Sequence, residues 1–228
     1  MNNNKLVIFG ASNILSDLWD AAMANGLTIA KTVIDAPAPD GERDISLQDR
    51  LAKLARHGQH PLTLALDDFQ PEPGELYLLG PTTPTRISLA RRLEQKFGLH
   101  FHTLIHPSAS VSPMAVLSAG VFIGANSVIG PGASLAEHVF VNRGVTIGHD
   151  TVIGAFSRIQ PGSNLGGLSR YGAGVTVGIG ATVLERLVIG DGAFIGAGAV
   201  VIDDVPASVL MVGIPARIKK RLDDVKNS

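Results

Sequence analysis

From Ile105 onward a single rule governs the chain. Positions 105, 111, 117, 123, 129, 135, 141, 147, 153, 159, 165, 171, 177, 183, 189, 195 and 201 are all Ile, Val or Leu, with Tyr171 the one exception. The register does not slip across 17 hexads. Four residues after each aliphatic stands Ala, Ser, Thr or Val, except in the hexad that carries Leu187, and the residue directly after the aliphatic is Gly in nine hexads. Self-similarity at a fixed period marks stacked repeats and not an ordinary globular core. Each six-residue side needs one large inward residue, one small inward residue and a turn residue able to reach φ > 0. Three such sides close one triangular coil, and stacked coils share an apolar interior. Scarce aromatics (5%) and 26 glycines suit so tight a turn.

Residues 1–104 follow a different grammar. "KLVIFG" (5–10) is a short apolar run ending in Gly, the pattern of a buried strand. "NILSDLWDAAMANG" has helical spacing and a glycine to end it, and "LTIAKTVID" (27–35) predicts the next strand. "ISLQDRLAKLARHG" (45–58) and "TRISLARRLEQKFG" (85–98) predict helices, with "PLTLAL" and "ELYLLG" as strands between them. Alternation of this kind predicts a small parallel α/β sheet covered by helices. "DAPAPDGERD" (35–44) and "DDFQPEPGE" (67–75) are Pro/Gly-rich, acidic loops. The expected domains are therefore 1–104 and 105–228.

Composition excludes several classes. With 19 Lys+Arg against 20 Asp+Glu, no global charge attracts nucleic acid or an acidic membrane. The absence of cysteine removes disulfides, thiolate metal sites and cysteine nucleophiles. The start "MNNNKLVIFG" has no basic region followed by a long apolar stretch, and no run approaches a membrane span. A soluble cytoplasmic protein is expected.

The repeat resembles the hexapeptide-repeat acyltransferases, whose fold is a left-handed parallel β-helix. The whole chain resembles the sialic acid O-acetyltransferase-like sugar acyltransferases, which include N-acetyltransferases of nucleotide-activated 4-amino sugars. The residues that carry this are "IFGAS" (8–12), "VID" (33–35), "LIHPSA" (104–109), "GHDTVIGAFS" (148–157) and "VGIPAR" (212–217). The resemblance implies a Rossmann-like front domain that holds the acceptor's nucleotide, a β-helix that binds acetyl-CoA, and a homotrimer with its sites between subunits.

His149 is the third residue of its hexad, at a coil corner, with Asp150 beside it. An imidazole can take a proton from an attacking amine or hydroxyl near neutral pH, and a carboxylate can fix its tautomer. The resemblance implies that His149 is the general base, supported by Asp150. Three hexads on, Gly167 lies directly above His149 and offers a backbone N–H for the oxyanion of a thioester carbonyl. Along another column stand Pro161, Ile179 and Ala197, with Gly178 beside Ile179; the resemblance implies that Gly178, Ile179 and Ala197 contact the pantetheine arm. Where close members often carry a second histidine, this chain has Arg158, which cannot be a base but can donate to a thioester oxygen or a sugar phosphate.

Other signals are weaker. Asn142 replaces Gly at a turn position and tolerates left-handed backbone. A zinc hydratase on this helix needs two histidines five apart, but five beyond His149 is Gly154, so no metal is expected. His106 reads as structural. "VLMVGIPARIKKRLDD" leaves the β-helix for a short terminal helix, whose Arg217, Lys219, Lys220 and Arg221 can meet CoA phosphates or simply face solvent. In the front half Gly10, Ala11 and Ser12 match the family's first turn, and Asp35 its first acid. Asn13 and Leu15 stand where further glycines usually follow, Ala36 where a second acid is common, and "GPTTPTR" (80–86) departs from the usual loop. The expected activity is acetyl transfer to a sugar amine, with Gly10, Ser12, Asp35 and Arg158 on the acceptor. The alternatives are O-acetylation of a sugar or sialic acid, and a non-catalytic solenoid that binds nucleotide sugars.

Overall fold

The computed structural model describes residues 4–36 and 43–222. Most of the first acidic loop, 37–42, lies outside the described residues. The chain divides into two compact units, residues 1–104 and 105–228. Among the described residues no helix is long and apolar enough to cross a membrane.

The first unit is built on β1 (Lys5–Phe9), β2 (Thr28–Ile34), β3 (Leu62–Ala65) and β4 (Glu75–Leu79), all parallel, in the order β3-β2-β1-β4. β1 is central and buried from Leu6 to Phe9, because a parallel strand with neighbours on both sides and helices above presents apolar residues to both faces. The helices are α1 (Leu15–Ala24), α2 (Leu47–Ala55) and α3 (Ile87–Phe97). Ser46 caps α2 by accepting from the Asp49 N–H at 3.1 Å, satisfying a donor the helix cannot. Gly98, with φ +65°, ends α3 while its N–H bonds to the Glu94 carbonyl at 2.8 Å. Each predicted strand and helix of residues 1–104 forms, shortened by one to three residues at its ends.

In the second unit the hexads become two-residue strands on three parallel sheets. The first sheet runs through Ser110–Val111, Val128–Ile129, Thr146–Ile147, Asn164–Leu165, Thr182–Val183 and Val200–Val201. The second carries Val152–Ile153, and the third Arg158–Ile159. Each strand pairs with the strand three hexads away, Thr146 with Asn164 and Ile147 with Leu165. This is a β-helix-like stack with the predicted period. The large inward positions from Ile123 to Val201 are buried, each contributing on the order of 1.5–3 kcal/mol by leaving water.

The small inward position has a polar task as well. Ser157 Oγ donates to the Gly172 carbonyl at 3.0 Å and accepts from the Val175 N–H at 3.0 Å. Ser127 and Ser169 make the same pair of bonds to their next coil. A hydroxyl here satisfies backbone groups that the short strands leave unpaired, which is why Ser and Thr are tolerated at zero exposure.

Two local expectations need correction. The glycine after each aliphatic is not the left-handed residue. The positive φ falls two residues later, at the fourth position of every hexad from Gly120 to Gly198. The glycine after the aliphatic is there because coils approach closely: a Cβ on Gly130 would stand 2.8 Å from the His149 backbone nitrogen, and one on Gly178 2.7 Å from that of Ala197. Asn142 accordingly has no positive φ; it is buried, and its Oδ1 accepts from the Arg143 N–H at 2.8 Å. The second correction concerns the end of the chain. Val209–Val212 extends the third sheet, and Arg217–Arg221 returns antiparallel to it as a strand, not a helix. Edge pairing there satisfies a backbone that so short a helix would leave mostly unbonded.

Candidate active site

His149 and Asp150 occupy the turn between the first and second sheets, where the chain leaves Ile147 and re-enters at Val152. Their side chains are 57% and 59% exposed, and His149 Nδ1 lies 2.9 Å from Asp150 Oδ2. Asp150 has φ +54°, a slot that many coils fill with glycine. Its second oxygen, Oδ1, lies over Gly132 one coil earlier, where any Cβ would collide with it. On the other side, a Cβ on Gly167 would stand 2.8 Å from both Cδ2 and Nε2 of His149. The pair is thus held between two glycines, one coil below and one above.

Gly167 is itself buried, and its N–H donates no hydrogen bond among the described residues. Its carbonyl accepts from the Arg186 N–H at 3.0 Å, and the His149 carbonyl from the Leu168 N–H at 2.8 Å, so both backbones are fixed. Nδ1 as donor to Asp150 leaves Nε2, beside Gly167, as the free basic nitrogen.

The second predicted column stands at another corner. Ile179 and Ala197 lie at the turn between the third and first sheets, and both are exposed, Ile179 by 60%. Gly178 is buried against the Ala197 backbone. The first sheet therefore has the His149 and Gly167 corner on one side and the Ile179 and Ala197 corner on the other. Between them it presents Thr146, Asn164 and Thr182, with the Thr146 hydroxyl donating to Asn164 Oδ1 at 2.8 Å.

Arg158 belongs to the third sheet, a different side of the coil from His149. It is half-buried; its Nε donates to Thr176 Oγ1 at 3.1 Å, and burial lowers its guanidinium pKa. His106 Nδ1 engages its own loop through the Ser108 hydroxyl at 2.8 Å. No cluster of three or more His, Asp or Glu with metal-binding geometry occurs among the described residues.

In the first unit Gly10, Ser12 and Asp35 come together at the carboxyl ends of β1 and β2. Gly10 has φ +86°, and a Cβ there would meet Pro81 at 2.7 Å and Asp35 Oδ1 at 3.1 Å. Ser12 Oγ donates to the Gly80 carbonyl at 2.9 Å, and Asp35 Oδ2 lies 3.8 Å from Arg92. Sequence reasoning missed Arg50, which is buried and donates to Ser16, Asn13 and the Ile45 carbonyl at 2.8, 2.9 and 3.2 Å, tying the first turn to α2. Its signal was a charge on the Leu47–Leu54 stripe of an amphipathic helix. Gly132 was missed too, although it stands three hexads before Asp150, the same spacing that pointed to Gly167.

Comparison with known proteins agrees with this architecture. No family model matches the chain. A serine acetyltransferase from Buchnera aphidicola subsp. Schizaphis graminum is 29% identical over 247 residues, covering 99% of this chain and 82% of that protein. A 2,3,4,5-tetrahydropyridine-2,6-dicarboxylate N-acetyltransferase from Enterococcus faecalis is 46% identical over 54 residues, so the chain spans only 23% of that relative's length. Among solved structures, the acetyltransferase domain of PglB from Neisseria gonorrhoeae in complex with acetyl coenzyme A superposes with a TM-score of 0.79 at 27% identity, covering 96% of this chain and all of that one. A variant of GDP-perosamine N-acetyltransferase from Caulobacter crescentus, in complex with CoA and GDP-perosamine, gives 0.77 at 25% identity, covering 95% and 97%. Together with the repeat, these similarities liken the chain to the hexapeptide-repeat acetyltransferases. Both of these solved structures are of acetyltransferases, one bound to acetyl coenzyme A and the other to CoA and GDP-perosamine.

Proposed function

We propose that the chain is an acetyl-CoA-dependent N-acetyltransferase acting on the amine of a nucleotide-linked 4-amino sugar. The observation that carries this is the His149–Asp150 pair, hydrogen-bonded at 2.9 Å on a solvent-facing corner and flanked by two glycines. Asp150 accepts from Nδ1–H and fixes the tautomer, so Nε2 removes the amine proton as nitrogen attacks the thioester carbonyl. The Gly167 N–H donates to the oxyanion that forms. Collapse breaks the carbon–sulfur bond, and the imidazolium returns its proton to the departing thiolate. Acetyl-CoA is a substrate here, and the exposed apolar Ile179, with Ala197 beyond it, fits its pantetheine arm.

The coil is read as left-handed and the assembly as a homotrimer, since one chain leaves His149 on an open corner and Arg158 on another side. A neighbouring copy supplies the second wall. Residues 1–104 are read as a Rossmann-like acceptor domain, supported by the order β3-β2-β1-β4 and by Gly10, Ser12 and Asp35 at the carboxyl ends of its strands. The neighbour bound to CoA and GDP-perosamine supports the same substrate class. A second reading, transfer to an acceptor that is not a sugar amine, is favoured by the serine acetyltransferase similarity over 99% of the chain.

The test is CoA release from acetyl-CoA with a panel of nucleotide-linked amino sugars, serine and plain sugars, beside His149→Ala. Release that requires both an amino sugar and His149 supports the proposal. Release only with a hydroxyl acceptor moves the assignment to the second reading, and failure to bind CoA removes both.

A further inference from the structure

At the turn between the third and first sheets the fourth position is glycine on four successive coils, Gly144, Gly162, Gly180 and Gly198, all with left-handed φ. The turn between the first and second sheets departs from this. There Asp150, Leu168 and Arg186 hold the same backbone conformation, at φ +54°, +62° and +64°. Asp150 is seated over Gly132. Leu168 has no such seat, and left-handed backbone disfavours a bulky apolar side chain that cannot bond locally as aspartate does. At the remaining turn His138 and Phe156 bear the same strain, but each is only 3% exposed and their rings stack at 4.8 Å. Leu168 remains 38% exposed, so packing within the chain offsets less of its cost. Uncompensated strain of this kind persists where function holds it.

The surroundings of Leu168 point to that function. It follows Gly167, stands one coil above Asp150, and donates its N–H to the His149 carbonyl at 2.8 Å. In acetyl transfer at this corner the tetrahedral carbon carries four groups. Its oxygen meets the Gly167 N–H, its nitrogen comes from the Nε2 side of His149, and its sulfur leads to the arm over Ile179. The acyl chain is the fourth, and Leu168 is the large apolar residue adjoining Gly167. We infer that Leu168 is a specificity-determining residue, the wall behind the acetyl methyl that shuts out longer acyl chains. This rests on the acetyltransferase reading. In a site of fixed size one methylene too many is worth about 10- to 200-fold.

The test compares binding of CoA, acetyl-CoA and butyryl-CoA to the full chain by calorimetry, without any acceptor. Wild type is expected to bind acetyl-CoA about tenfold more tightly than butyryl-CoA. Leu168→Gly and Leu168→Ala are expected to bring the two within about threefold, with CoA affinity unchanged. Val152→Ala, which trims an exposed valine where the chain leaves the same turn, should keep the wild-type preference. Leu168→Gly should also unfold at a temperature no lower than wild type, since glycine relieves the strain. A lower unfolding temperature with an unchanged preference would make Leu168 a packing residue and overturn the inference. Failure of the wild type to bind CoA overturns the acetyltransferase reading, and this inference with it. CoA binding with no preference for acetyl-CoA overturns the inference alone, as does a preference that survives both Leu168 variants or is lost equally in Val152→Ala.

Discussion

Asp150 lies directly over Gly132, so that one carboxylate oxygen reaches His149 while the other fills the space a side chain at 132 would need. Gly132→Ala is therefore expected to displace the carboxylate. Both Gly132 and Gly192 have left-handed backbone, φ +71° and +64°, but a Cβ at 192 meets only the Ser208 hydroxyl at an ordinary 3.6 Å. The backbone penalty, about 1–2 kcal/mol, is shared by the two alanine variants. Turnover should fall about 100-fold in Gly132→Ala alone, as for other misplaced catalytic groups. Equal activity in the two, measured by CoA release, would mean that Asp150 needs no such seat.

Gly167 differs, because its φ is not positive and the nearest atoms to an alanine Cβ there are the imidazole and carbonyl of His149. Gly167→Ala should push the His149 ring aside, lowering kcat about 100-fold with little change in CoA affinity or thermal stability. Loss of CoA binding in step with kcat would instead point to a disrupted coil.

Tyr171 occupies an inward position that is aliphatic in the other hexads, and its hydroxyl is buried with no partner among the described residues. Burial holds the phenol well above its ordinary pKa. Tyr171→Phe removes an unsatisfied oxygen while keeping the ring, so stability should rise by about 1–2 kcal/mol in denaturant unfolding. A loss of stability would reveal a bond the hydroxyl makes.

The first unit should weaken in alkali. Burial, followed by the Glu75 charge, pushes Tyr77 from 10.0 up to about 12. The unfolded chain therefore loses this proton first, and the stability present below pH 10 is lost as pH climbs from 10 to 12. Lys31 acts in the same direction: burial pushes its ammonium down, but the hydrogen bonds and charges of Glu72 and Glu75 outweigh this and raise it. Glu72 is lowered, mainly by its hydrogen bond to Lys31, so its share is lost on the acid side instead. Urea midpoints followed by Trp19 emission should drop between pH 10 and 12, less so in Tyr77→Phe. Identical profiles would remove Tyr77 as the cause.

What could be read in advance follows from what periodicity encodes. Ile147 and Leu165 stack because the period says so, and the same spacing brings Gly167 to His149. Periodicity does not say which of two small residues bears the positive φ, and glycine's two uses, close approach and left-handed backbone, look alike in letters. Asn142 was misplaced for that reason. Arg217–Arg221 reads equally well as a helix or a strand; its pairing with Val209–Val212 decides it. The burial of Arg50 depends on three partners from different segments, which no local pattern displays.

The pairing of each strand with the one a full coil away makes length in this half of the chain quantised. Adding or removing a whole coil leaves every later corner where it was. Adding or removing one hexad between 150 and 167 keeps every aliphatic inward and the interior filled, yet turns everything beyond it by a third of a revolution. Gly167 would then cap a different corner, and His149 would face a stranger. Such a chain stays folded and loses its site, so lineages of this architecture can grow freely only in steps of three hexads.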